Sequence, residues 1–140
     1  PTLDEAKEAA VARIDKETSE AILAGFEYEI DPGTGSPESL HFSYDSFDQQ
    51  NFADSANVAL LSLNASPQSE GLPASVTWNA YRNHTPDDSG ELVRLTLDPQ
   101  GFLALYTGGA LAHKAAKMEE GGRRKAAIAA AESADELEGI

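Results

Sequence analysis

Residues 76–97 constrain this chain more than any other stretch. Val76-Thr-Trp-Asn-Ala-Tyr-Arg82 and Glu91-Leu-Val-Arg-Leu-Thr-Leu97 both alternate, and Thr85-Pro-Asp-Asp-Ser-Gly90 lies between them. Two alternating runs around a turn-rich segment predict a β-hairpin. Asp98-Pro99 follows directly, a capping carboxylate before a proline suited to the first helical position. Trp78, the only tryptophan, shares one hairpin face with Val76 and Ala80, opposite Thr77, Asn79 and Tyr81. It is expected to anchor a core or an interface.

The same reasoning extends in both directions. Thr2 with Glu5 reads as a capping box. Leu3, Ala10, Val11, Ile14, Ala21 and Ile22 form a helical stripe, and Gly25 is a natural stop. This predicts a helix over 2–24. Phe26, Tyr28 and Ile30 alternate with Glu27 and Glu29, and Leu40, Phe42 and Tyr44 alternate after a Gly- and Pro-rich turn. That is a first hairpin over 26–44. Ser46 as cap, with Gln49 three residues on, predicts a second helix over 46–63, and residues 66–73 read as a polar loop. The second hairpin occupies 75–97, and helices fill 99–138. The first of these is expected to end near Glu119. Gly108-Gly109 inside it marks a bend or a close backbone approach, and Gly121-Gly122 is a second soft point. Ser133 should cap a short final turn. The expected fold is α+β, one domain of 140 residues, with helices packed on short antiparallel hairpins.

Charge narrows the partners. A net charge of −14 argues against nucleic acid and against an anionic membrane surface, because both demand a basic face. The first 45 residues hold 11 acids and 3 bases, the last 50 hold 8 and 6. This imbalance reads first as a device for solubility; the sharper reading is that the weakly basic last helix meets the acidic first one, in the same or a neighbouring chain. There is no cysteine, which excludes thiol chemistry. Residues 1–20 are charged throughout and do not read as a secretory leader. The triplets beginning at Asn64 and Asn83 therefore carry no glycosylation argument.

Motifs for chemistry are sparse. His41, His84 and His113 fall on different elements with no close spacing, so no metal site is expected, and His113 is expected to pack over Phe102, Tyr106 or Trp78. Asp45, Asp48 and Asn51 form a loose polar cluster that helix capping explains better than metal binding. Gly33-Thr-Gly35-Ser lacks the lysine of a phosphate loop. No catalytic residue and no cofactor is expected. The narrow Ala/Ile seam of the first helix suits helix–helix packing. Leu3, Ala10, Ile14 and Ala21, with Ile128, Leu137 and Ile140 near the end, are candidates for self-association.

In order along the chain, several segments resemble a small uncharacterised domain of tailed-phage and prophage tail-fibre and baseplate-associated proteins. They are Ala21-Ile-Leu-Ala-Gly-Phe26, Asp45-Ser-Phe-Asp-Gln-Gln-Asn51, the Trp78 strand, Leu95-Thr-Leu-Asp-Pro-Gln-Gly-Phe-Leu-Ala-Leu105 leading to His113, and the Ala-rich close from Ala126 to Leu137. The resemblance implies a virion tail protein made in the bacterial cytoplasm. It would act by packing against copies of itself, as a trimer or ring, and against other tail proteins, without turnover. It carries over no catalytic residue. Two alternatives stand beside it. One is a host-surface carbohydrate-binding or enzymatic module, whose sign would be a pocket lined by Trp78, Tyr81 and Tyr106 with converging carboxylates. The other is a cytoplasmic tail-assembly factor that leaves before the virion is complete.

Overall fold

A computed structural model describes residues 1–64 and 70–140. The elements are α1 (Leu3–Leu23), β1 (Phe26–Ile30), β2 (Glu38–Phe42), α2 (Ser46–Leu63), β3 (Val76–Arg82), β4 (Glu91–Leu97), α3 (Pro99–Leu105), a π-helical turn (Tyr106–Leu111), α4 (Ala112–Ala130) and α5 (Ala134–Leu137). The class is α+β, as the sequence predicts. The expected loop over 66–73 and the Asn64 triplet lie partly outside the described residues. The chain divides into two compact units, Pro1–Ile22 with Lys114–Ile140, and Leu23–His113.

The first unit is helical. Thr2 and Glu5 form the predicted capping box, the Thr2 N–H donating to Glu5 Oε1 at 3.1 Å and the Glu5 N–H to Thr2 Oγ1 at 3.2 Å. Ala10 and Ile14 of α1 meet Ile128, Ala131 and Leu137 in one buried cluster, with Leu3, Ala6, Val11 and Ile140 packed against it. The narrow seam of α1 is thus occupied within the chain by the end of α4 and by α5. Charge follows the same pairing: Lys125 meets Asp15 at 2.8 Å and Arg124 meets Glu17 at 2.9 Å. These pairs are largely exposed and each contributes about 0–1 kcal/mol, so the apolar cluster dominates. Gly121 does not interrupt α4, which runs on past Glu119 to Ala130. Its role is proximity, since a Cβ there would stand 3.3 Å from Thr18 Cγ2 and closer still to Thr18 Oγ1. Ser133 caps α5 as predicted.

The second unit is a four-stranded antiparallel sheet in the order β1-β2-β3-β4. The two predicted hairpins are joined into one sheet by a single paired position, His41 opposite Tyr81. One face carries Phe26, Leu40, Phe42, Ala80, Leu95 and Leu97, all buried. α2 and α3 add the fully buried Phe52, Phe102 and Leu105. Aromatic rings make the contact specific. Phe26 stacks on Phe42 with centroids 5.4 Å apart, and Trp78 lies 4.4 Å from Phe52 and 5.0 Å from Phe102. Trp78 is therefore the anchor the hairpin pattern implied. Gly108-Gly109 falls in the π-helical turn, where Gly109 lets the backbone come against Phe26 and Tyr28.

One local expectation needs correction. α2 is capped by Asp45, not Ser46. The Asp48 N–H donates to Asp45 Oδ1 at 2.8 Å, and Asp48 Oδ2 accepts from the Asp45 N–H at 3.1 Å. Two competent caps are adjacent in the sequence, and the one whose carboxylate also complements the helix dipole takes the position. Gln49 instead donates to the Tyr44 carbonyl at 3.2 Å. His113 packs on Phe26 (5.6 Å) and Tyr44 (6.1 Å), ring neighbours that the sequence did not single out.

Candidate functional site

The sheet face turned away from the aromatic core is the polar side of the strands. In β2, Leu40 and Phe42 point into the core, which leaves His41 outward. The ladder sets Glu27, His41, Tyr81 and Leu92 in one row across four strands. His41 Nδ1 lies 2.8 Å from Glu27 Oε1. Despite its outward position His41 is only 7% exposed. The β3–β4 turn folds back and lays His84 flat on it, with ring centroids 3.5 Å apart and planes within 4°. His84 is held by Nδ1 against the Ser89 carbonyl at 3.1 Å, and Asn83 takes a left-handed φ of 59° to aim it. Gly25, at φ +89°, closes the other edge, since a Cβ there would come within 2.6 Å of His41 Nε2.

This pair corrects the expectation of three dispersed histidines. Position 41 and position 84 meet because β2 and β3 pair across the intervening helix. The rings lie face to face, so their in-plane nitrogens do not converge on one point. Among the described residues no group of three His, Cys, Asp or Glu side chains is disposed to hold a metal ion.

Beside the pair the surface is concave. A cavity of about 270 Å³ is lined by His41, His84, Tyr44, Asp45 and Asp48. It shares Ser43, Asp48 and Tyr81 with a larger polar groove of about 450 Å³, where Asn51 of α2 faces Thr77, Trp78, Asn79 and Arg94 of the second hairpin. The groove opens where β2 ends and β3 continues beside the start of α2. Arg94 lies opposite Asn79 on the ladder, and its Nη1 donates to Asn79 Oδ1 at 3.2 Å. Partial burial pushes the Asp48 carboxyl above the usual carboxylate range, an effect its hydrogen bonds from Asp45 and Ser43 only partly oppose. Of the pocket expected around Trp78, Tyr81 and Tyr106, the first two line the groove. Tyr106 does not, and Asp48 is the one carboxylate of the groove lining. A third cavity, about 330 Å³, is apolar and lies between Val58 and Ala59 of α2 and Pro73, Val76 and Pro99.

The model of a domain of unknown function, DUF4376, matches residues 5–139. The chain belongs to this family. No curated protein and no solved structure matches it. The DUF4376 match runs through both compact units, from α1 to the last turn.

The candidates for self-association sit in the helical unit of this DUF4376 domain. Ala10, Ile14, Ile128 and Leu137 are buried in its cluster, and Leu3 and Ile140 are half-buried against it. Ala21 lines a small cleft with Thr18, Gly121 and Arg124. Ile14 and Ile128 are almost wholly buried in that one cluster, so neither side chain is exposed on the surface of the unit. Sequence reasoning missed two constellations, the histidine stack and the bridge of Arg82. Arg82 pairs with both carboxylate oxygens of Glu38, at 2.6 and 2.9 Å, and also with Glu91, tying three strands together. The stack and the Arg82–Glu38 half of the bridge have no local signal, because each depends on the pairing of β2 with β3, whereas Arg82 and Glu91 face each other at the end of the predicted hairpin. No described helix is long and apolar enough to cross a membrane.

Proposed function

We propose that this domain is a structural component of a tailed-phage or prophage tail, in the baseplate or tail-fibre attachment region, working by protein–protein packing and without turnover. The setting is supported by the segmental resemblance described above. The mode of action is supported by the surface of α2. This helix contains no lysine or arginine over its 18 residues, and its acids are Asp48 and Asp54 alone. A solvated helix face normally carries charge. Here Phe47 is 75% exposed, Leu60 53% and Leu63 46%. Isolated exposed leucines are ordinary, but four large apolar groups including Leu61 on one weakly charged helix suit burial against a neighbour. Partners would be other tail proteins or further copies of the chain.

Mass spectrometry of purified particles tests the reading, with a Phe47→Ser, Leu60→Ser, Leu63→Ser variant alongside. The expected result is a stoichiometric virion protein whose variant folds but is lost from particles. Absence of the unmodified chain from particles would favour a departing assembly factor. Undiminished incorporation of the variant would remove α2 from the argument. Light scattering gives the oligomeric state, with more than one copy expected.

A further inference from the structure

We propose that the groove between the start of α2 and the outer face of the second hairpin binds a neutral saccharide. The inference is independent of the packing role. Its support is the combination of groups on three elements, α2, β3 and β4. Asp48 and Asn51 are one helical turn apart on α2 and so project together. Asn79 and Tyr81 alternate onto the outer face of β3, and Arg94 joins them from β4. These five bring two amide forks, a carboxylate, a phenol and a guanidinium to one concavity beside the half-buried Trp78. Its volume of about 450 Å³ lies within the usual range of small-molecule sites, roughly 300–1,000 Å³.

Each part fits sugar chemistry. Adjacent hydroxyls of a pyranose both donate and accept, and planar forks of the Asn and Asp type match such pairs. Asn79 is already oriented, because its Oδ1 accepts from Arg94, and its NH₂ remains as two donors. The C–H face of a sugar ring needs an apolar wall, which the ring of Tyr81, on the outer face with Asn79, supplies. Charge excludes the main competitors. The groove holds one cation and one carboxylate, so a phosphate or nucleotide would meet no excess of positive charge. Arg94 is spoken for in part by Asn79, and none of the ion pairs among the described residues uses it, which leaves donors for hydroxyl oxygens.

Trp78 is the only tryptophan in the chain, so its emission reports the groove directly. The full chain is titrated with methyl glucoside, methyl galactoside, methyl mannoside, N-acetylglucosamine and maltotriose, and with inorganic phosphate and N-acetylneuraminic acid as anionic probes. A saturable emission change with at least one neutral sugar is expected, with Kd of about 0.1–10 mM for so small a ligand. Asn79→Ala and Asn51→Ala should each weaken it about tenfold or more, a loss on the order of one good hydrogen-bonding group. Asn79 is exposed and Asn51 half-buried, and unchanged circular dichroism and melting midpoints show that the variants fold. The proposal is overturned if no neutral sugar gives a saturable change up to about 50 mM, far beyond a useful affinity. It is equally overturned if both variants bind like the parent, or if only the anionic probes bind.

Discussion

Substituting the two glycines of the π-helical turn by alanine should produce opposite outcomes at adjacent positions. Inside a helix, Gly→Ala ordinarily stabilises by about 1 kcal/mol, because glycine loses more backbone freedom on folding. Gly108 is exposed and its new Cβ would meet only Tyr28, at 3.7 Å, an ordinary contact. Gly108→Ala should therefore gain up to about 1 kcal/mol. Gly109 is buried, and its Cβ would stand 2.8 Å from Phe26 Cε2, 3.1 Å from Tyr28 Cδ1 and 3.3 Å from Leu105 Cδ1. The Phe26 ring cannot retreat, since it stacks on Phe42 and touches Tyr44, Phe52 and His113. Overpacking of this kind costs about 1–3 kcal/mol, which outweighs the propensity gain. With the Phe26 ring held on all these sides the cost lies in the upper part of that range, about 2–3 kcal/mol, so the net expectation is a loss of about 1–2 kcal/mol for Gly109→Ala. Urea unfolding followed by Trp78 emission reads the unit that contains both sites. The midpoint should rise for Gly108→Ala and fall for Gly109→Ala with the slope unchanged. Equal stabilisation by both alanines would refute the packing argument, because it would mean that the Phe26 cluster yields freely.

Three further expectations follow from the same geometry. Ile14→Asp puts a carboxylate into the fully buried seam of the helical unit, a cost of several kcal/mol, and far-UV circular dichroism should show helix loss; retained helicity with altered oligomeric state would instead place Ile14 at an interface. Trp78→Ala, at a half-buried position against Phe52 and Phe102, should cost about 2–3 kcal/mol, just below the range for a fully buried aromatic, measured by the thermal midpoint, and an unmoved midpoint would deny it an anchoring role. Glu38 is held below the usual glutamate range by its hydrogen bonds to Arg82, so its contribution is present at neutral pH and is lost as pH falls through its depressed folded value; Glu38→Gln should lower stability at pH 7 and flatten the acid limb, and an acid limb identical to the parent's would show that the bridge is fully screened.

The elements were legible because their signals are local. Alternation at 26–30, 76–82 and 91–97, the Thr2/Glu5 box, the Asp98-Pro99 start and the Ser133 cap each lie within a few residues of what they determine. The Asp45/Ser46 ambiguity shifted a cap by one residue without moving the helix. The histidine stack was illegible for the opposite reason. Its geometry rests on one cross-strand pair, His41 with Tyr81, formed over a separation that includes the whole of α2. Nothing in the local pattern distinguishes that pairing from two independent hairpins.

The same distinction explains what happened to the candidate residues. The Ala/Ile seam of α1 calls for a helix, since a narrow stripe buries little against a sheet, and helical residues fill it. What the stripe could not reveal was which helix. The chain supplies its own partner about 110 residues later, where Ile128 and Leu137 close on Ile14. Charge complementarity, read from the uneven acid and base content, pointed to that pairing in the same or a neighbouring chain, and the Lys125–Asp15 and Arg124–Glu17 contacts realise it within one. With the seam filled internally, the surfaces left for partners are those that local patterning cannot rank. They are a weakly charged α2 with apolar groups in solvent, and a polar groove whose five anchoring side chains come from three separate elements. A surface of the first kind becomes recognisable only once the buried side of the helix is known. A site of the second kind exists only after β3 has been laid against β2 and the start of α2 has been set beside the strand end.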